Sequence, residues 1–180
     1  MTDKKNERRG QNRIRYREGG GDDGFAREYC YVLHLSPDER ALLDSHRTAL
    51  AAGSARFAEV HYNYLHDNPD IADVLYAHER SGGNVGELIR SELELILGVF
   101  SPHATDARER ALVEAGKAHL HRGIRPVWVT GAYRLFLEYV LQLVRELPAT
   151  AADRDRLEAI LLRQIMRDQG LMIEGYWHAM

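Results

Sequence analysis

A sharp break between two helices constrains this chain more than any other feature, and it lies within residues 115–133. Gly123 ends a helix-forming run, where a glycine suits the left-handed cap that closes many helices. Pro126 suits the first turn of a helix, because its missing N–H would have no partner there. The next helix, Arg125 to Leu147, is apolar nearly all round and must be covered on two sides. The sequence therefore predicts a helix end, a sharp turn and a long helix that starts at once.

His119 lies one turn before this break, on an apolar face that it shares with Ala111, Leu112 and Ala115. A histidine in such a place is commonly a core residue whose ring nitrogens find backbone partners. The alternative is an axial ligand to a flat, apolar cofactor, with the small residues leaving room for it. Spacing alone favours the core residue and leaves both interpretations open.

The rest of the chain also has helical spacing, without the alternation of strands. Ser36 and Glu39 form a capping-box signal with a proline between them. Pro69 predicts a helix end and a short turn toward Leu75, and residues 78–84 predict a loop. The predicted elements are helices at 25–35, 36–52, 54–68, 85–100, 125–147 and 151–180, with the helix of His119 starting at Thr105 or Asp106, and they make an all-α protein.

Residues 1–24 differ from the remainder, since they are rich in lysine and arginine, contain Gly19–Gly21 and have almost no apolar side chains. This composition predicts a disordered basic arm followed by one domain at 25–180. The net charge of −3 gives no sign of nucleic-acid binding. Cys30 is the only cysteine, and no long apolar run or signal peptide is visible, so we expect a cytoplasmic protein that does not enter a membrane.

Several chemistries are disfavoured by the spacing of the candidate residues. The chain has nine histidines, but His119 and His121 point apart on a helix, and His61 and His66 are poorly aligned for zinc. Cys30 has no basic partner in sequence, and no phosphate-binding loop or paired-carboxylate motif is present. We therefore expect no catalytic residues.

Two tyrosines and one serine are further candidates for contact with a ligand. Tyr62 and Tyr64 lie on nearly opposite faces of one helix, and periodicity does not say which faces a ligand. Ser91 lies on an apolar face with Leu88 and Leu95, where it is either a core serine bonded back to its own helix or a donor to a ligand.

The motif Gly116-Lys-Ala-His119, followed by residues 123–126, Trp128 and residues 131–133, resembles the signature of globin-coupled sensors. These are bacterial haem proteins that sense oxygen, and the resemblance covers residues 33–176. It implies a globin fold that lacks the D helix and carries an extra N-terminal helix. It also implies haem b, with iron bound by His119, which lies four residues before Gly123.

The resemblance extends to the ligand side of the haem. The distal tyrosine of the family lies seven residues before a proline, which selects Tyr62. The alignment places Leu88 and Ser91 over the haem, so that Tyr62 and Ser91 would contact O2, or CO and NO in its place. The remaining wall would be apolar, with Val60, Leu88, Leu95 and Leu112 as the expected residues.

The family forms homodimers, which implies a helix bundle made by residues 125–147 and 151–180 of two copies. Because no cyclase or kinase motif is present, the output lies outside this chain, and a diguanylate cyclase is the expectation from family frequency. Two alternatives remain: a haem globin enzyme acting on nitric oxide or peroxide, and a haem-free regulatory globin-fold module that binds partners. The enzyme would need a reductase partner or a distal acid–base pair, neither of which the sequence shows clearly.

Overall fold

The computed structural model describes residues 35–103 and 105–180, and this part of the chain contains helices and no strands. The predicted basic arm at 1–24 and the predicted helix at 25–35 lie outside the described residues, apart from Leu35. Two short 3-10 turns, Ser54–Arg56 and Gly98–Phe100, lie between longer helices. The seven α-helices are α1 Pro37–Gly53, α2 Phe57–Asp67, α3 Pro69–Arg80, α4 Val85–Leu97, α5 Asp106–His121, α6 Pro126–Glu146 and α7 Ala151–Ala179.

The helix starts follow from side-chain caps and prolines. The Ser36 side chain accepts from the backbone N–H of Glu39, and the Glu39 carboxylate accepts from the N–H of Ser36 at 2.8 Å. This confirms the predicted capping box. Thr105 caps α5 by accepting from Arg108 N–H, as one of the two predicted caps. These bonds satisfy N–H groups that a helix start leaves without partners.

One predicted turn is a helix in the structure. The stretch from Pro69 to Leu75, predicted as a short turn, belongs to α3, which continues to Arg80. The Asn68 side chain caps this helix, and the proline occupies its first turn, so the proline that ends α2 also begins α3. Buried residues at helical spacing then hold α3 against its neighbours: Ile71, Ala72 and Leu75.

The last helix, α7, is the centre of the main core. Its inward face is fully buried through Leu157, Leu161, Ile165 and Leu171, and it packs against α5, α6 and α1. It crosses α5 closely because both helices have a glycine there. A Cβ on Gly116 would overlap the backbone carbonyl of Met172, and one on Gly175 would overlap that of Val113.

Charged side chains fix the register of α5 against α7. Arg108 of α5 donates to both carboxylate oxygens of Asp168, one at 2.6 Å, and also to the Leu95 carbonyl at 3.0 Å. Arg167 of α7 pairs with Glu109 of α5. Asp168 and Arg167 are almost completely buried, so each depends on its partner, and a one-residue slip would leave a buried charge unpaired.

Candidate functional site

A cavity of about 300 Å³ is lined by residues of α2, α3, α4, α5, α6 and α7. This volume is at the lower end of the range for ligand pockets. The wall is mostly apolar and combines residues of the main core with a smaller cluster around Leu65, Ile71 and Leu75. On α5 the wall is a row of small residues beside a histidine: Ala111, Ala115, Ala118 and His119.

His119 reaches the cavity because α5 ends immediately after it. Gly123 has a φ of +74°, the left-handed conformation that favours glycine. The N–H of Ile124 donates to the carbonyl of His119 and that of Gly123 to Leu120, both at 2.9 Å, which closes the helix in a Schellman motif. With α6 starting at Pro126, the predicted helix end, sharp turn and helix start are confirmed.

The environment of His119 keeps its imidazole neutral. Burial lowers the pKa of His119, the Glu92 carboxylate opposes that shift, and the charges of Arg122 and His61 reinforce it. Neutral imidazole is the form that binds a metal. The Nδ1 atom is buried without a hydrogen-bond partner in the described part of the chain, so the backbone acceptor expected for a core histidine is not seen. His121, two residues later, is exposed.

The structure brings several of the predicted wall residues together on α4. Leu88, Ser91 and Leu95 all line the cavity. The Ser91 hydroxyl donates to the carbonyls of Glu87 at 2.8 Å and Leu88 at 3.1 Å, so it is bonded back to its own helix. Its single hydrogen is therefore committed, and in this arrangement the hydroxyl is not a free donor for a ligand.

Tyr62, Val60 and Leu112 are not brought to the cavity. Tyr62 is 48% exposed and its ring packs on His66, with centroids 4.2 Å apart. Val60 is 38% exposed and borders a separate shallow groove beside α3. Leu112 is fully buried in the main core rather than on the cavity wall. Tyr64 lines the cavity instead, on the other side of α2 from Tyr62.

The position of Tyr64 is fixed by one hydrogen bond. Its hydroxyl donates to the Trp128 carbonyl at 2.8 Å, and Gly131 leaves the space in which the phenol end lies. Burial raises the pKa of Tyr64, so the hydroxyl stays protonated. This bond ties α2 to the first turn of α6 beside the cavity.

The sequence interpretation missed a histidine–glutamate pair behind this wall. His61 of α2 is fully buried, and its Nε2 lies 3.4 Å from Oε2 of Glu92, which lines the cavity from α4. The signal was available in the spacing. His61 is four residues from both Phe57 and Leu65, and Glu92 is four residues after Leu88. A titratable residue on an apolar stripe is the pattern that marked His119.

The order of the helices and the place of His119 in the last turn of α5, beside an apolar cavity, are consistent with a globin domain. Comparisons with known proteins agree. The family model described as Protoglobin matches residues 26–180, and the chain therefore belongs to the Protoglobin family. No curated protein sequence matches it.

Solved structures show the same fold. The globin domain of a Geobacter sulfurreducens globin-coupled sensor superposes with a TM-score of 0.72 at 17% identity, over 83% of this chain and 96% of its own. A ferric crystal form of the globin domain of E. coli DosC superposes with a TM-score of 0.61 at 17% identity, over 82% of this chain and 96% of the DosC domain. The predicted all-α globin fold is confirmed by these matches. Within the described residues no helix is long and apolar enough to cross a membrane.

Proposed function

We propose that this globin domain binds haem b through His119 and senses oxygen. The observation that carries the proposal is a histidine kept neutral by burial, in the last turn of α5 and on the wall of an apolar cavity. A neutral imidazole on a cavity wall can present a ring nitrogen to an iron, which a histidine packed inside the core cannot do. The described residues therefore fit the cofactor that is usual in this family.

The cavity wall has the properties that a flat porphyrin needs. The small side chains of Ala111, Ala115 and Ala118 leave room for a ring beside α5. Arg122 lies at the cavity rim and is exposed, which suits the carboxylate side chains of the haem. Bound haem supplies an iron that takes O2, with CO and NO as competing ligands, and the apolar wall keeps water from it. Contact of O2 with Tyr62 and Ser91, as the resemblance implies, stays a prediction.

The signal would leave through a homodimer, formed by α6 and α7 of two copies. Support comes from large apolar side chains that the single chain leaves exposed on these two helices: Val127, Leu162, Met166 and Trp177. His119 is joined to α6 by only the short turn at Gly123, so a movement of its ring is passed to the bundle. The signal would pass to an output domain or protein outside this chain, for which we expect a diguanylate cyclase. We expect the protein to act in the cytoplasm.

An absorption spectrum tests the proposal directly. The purified protein is expected to show a Soret band, and His119→Ala should lose it or bind haem only weakly. His121→Ala is the matched control, because His121 is on the same helix end but exposed. If His121→Ala removes the band and His119→Ala does not, His119 is not the ligand. If the wild-type protein takes up no haem, the haem-free regulatory module is the better interpretation.

A further inference from the structure

The cavity has a polar group that oxygen sensing does not use. Glu92 lines the cavity from α4, and its carboxylate is only partly exposed there. Behind it lies His61, which is fully buried and has no hydrogen-bond partner on either ring nitrogen among the described residues. Their 3.4 Å separation is longer than a normal hydrogen bond, so the two groups interact mainly through charge.

Two other polar groups of the wall donate within the protein, whereas the buried Tyr133 hydroxyl has no partner among the described residues. The hydroxyls of Tyr64 and Ser91 donate to backbone carbonyls. The Glu92 carboxylate therefore differs from them, because it has acceptor oxygens beside the cavity and a histidine behind it. Burial raises the pKa of Glu92, but the interaction with the His61 ring outweighs burial and brings it below its ordinary value. The carboxylate is accordingly ionised, which is the form that can accept a proton.

We propose that Glu92 and His61 form a proton-accepting site for small weak-acid ligands H–X of the haem, hydrogen peroxide among them. The inference rests on the proposed haem function. The H–X bond would break, X would keep the electron pair and become the anion that the haem takes up, and the proton would move to the Glu92 carboxylate, 3.4 Å from His61 Nε2. The Glu92–His61 pair gains the positive charge of the proton, and X carries one negative charge. The net charge of the cavity therefore does not change. No oxidant or reductant is needed for this step.

The groups that face Glu92 are consistent with this role. His61 approaches from α2, and the Glu92 charge acts to raise the pKa of His119 on α5, against the effect of burial. The same charge contributes to the raised pKa of Tyr133 on α6 and of Tyr176 on α7. Burial raises the pKa of both tyrosines, so they stay neutral and do not compete for the proton. The Glu92 carboxylate, with His61 behind it, is thus the proposed proton acceptor on this side of the cavity.

Cyanide binding to the ferric protein tests the proposal, because cyanide exists as HCN near neutral pH and must lose its proton on binding. Glu92→Gln should slow cyanide association at least about tenfold, within the range that positioned acid–base groups contribute. CO association with the ferrous protein involves no proton and should change less than about twofold. Glu94→Gln is the control, since Glu94 is an exposed residue of the same helix. Equal cyanide rates in the wild type and Glu92→Gln would overturn the proposal.

Two measurements separate this proposal from the haem assignment. In the haem-free protein, Glu92→Gln should shift the NMR signals of the His61 ring protons, whereas Glu94→Gln should leave them in place. In the wild type, cyanide association should be slower in D2O and CO association should not. A wild-type protein without a Soret band would overturn the haem assignment and this inference with it. A normal Soret band with no isotope effect on cyanide binding would overturn this inference alone.

Discussion

His61 and Tyr62 are consecutive residues of α2, yet their side chains meet opposite environments. Successive residues of a helix point about 100° apart, so the face that buries His61 with Phe57 and Leu65 carries Tyr62 to the surface. Tyr64 lies on the cavity side of the same helix. The resemblance selected Tyr62 by counting from a proline, which fixes sequence position but not the direction of a side chain.

The two tyrosines make a matched pair for one measurement, the rate of oxygen dissociation. If Tyr62 turns its hydroxyl to bound oxygen, as the resemblance implies, Tyr62→Phe should raise that rate, whereas a ring that stays on the surface should change it by less than about twofold. Loss of a hydrogen bond to bound oxygen would raise the rate roughly five- to thirty-fold, the factor for 1–2 kcal/mol. Such a rise in Tyr62→Phe, with none in Tyr64→Phe, would confirm the contact with Tyr62, and a rise in Tyr64→Phe alone would transfer the role to Tyr64.

What could be read from the sequence at this scale depended on local signals. The helix end at Gly123 depends on neighbouring residues in the sequence, so it could be predicted, and with it the position of His119 beside the break. The His61–Glu92 contact joins two helices 31 residues apart, and no local pattern pairs them. Likewise, the back-bonding of Ser91 depends on its rotamer, which no sequence pattern fixes.

At the scale of single elements, the start of α1 gives a prediction about pH. The hydrogen bond from the backbone N–H of Ser36 lowers the pKa of Glu39, and the nearby Arg163 lowers it further. Partial burial acts in the opposite direction but is outweighed. Because this pKa is lowered in the folded protein, the carboxylate stabilises the fold at any pH above 4.5, its ordinary pKa. This stabilisation is lost as the pH falls below that value and through the lowered pKa. Glu39→Gln keeps the capping hydrogen bond and removes only the charge, so it should cost about 0.5 kcal/mol at pH 7 and progressively less below pH 4.5.

Thermal unfolding between pH 7 and pH 3 measures that difference. Asp44→Asn is a suitable control, because Asp44 is exposed on the same helix and takes no part in the capping box. A gap between the wild type and Glu39→Gln that stays constant over the whole pH range would show that the charge of Glu39 does not act through the cap.

The crossing of α5 and α7 gives a prediction about packing. Gly116→Ala adds a methyl group where the Met172 carbonyl lies, and backbone moves less easily than a side chain. We expect a loss of about 3 kcal/mol in the free energy of unfolding, at the upper end for overpacking. Denaturant unfolding measures it, with Gly86→Ala as a control at an exposed helical position. Equal stability of the two variants would mean that the helices are not in close contact.

Element boundaries were predictable where a cap or a glycine marks them, as at Ser36 and Gly123. Pro69 was harder because proline ends one helix and begins another with the same geometry. The deciding factor is the burial of Ile71, Ala72 and Leu75, which is a tertiary effect. The close α5–α7 crossing was also hidden, since Gly116 and Gly175 are distant in sequence and meet only in the folded chain.

At the scale of the whole molecule, the exposed apolar residues of α6 and α7 predict a dimer. Leu162→Arg should split it, because burying a charge without a partner opposes association. Sedimentation at micromolar concentration measures the mass, and the Soret band should be nearly unchanged because Leu162 is remote from the cavity wall. Arg47→Glu is the control, a charge change at an exposed position of α1. A wild-type monomer in both the oxy and deoxy states would exclude the dimer and the proposed signal route together.

The long last helix has a mechanical consequence that follows from where the two glycines meet. Gly175 is 24 residues from Ala151 but only four from Ala179. At 1.5 Å per residue the lever arms are about 36 Å and about 6 Å. If α7 pivots at this fulcrum by about 5°, its first turn travels about 3 Å while its last turn travels about 0.5 Å. The amplification is therefore greatest at the Ala151 end, next to the loop that joins α6 to α7.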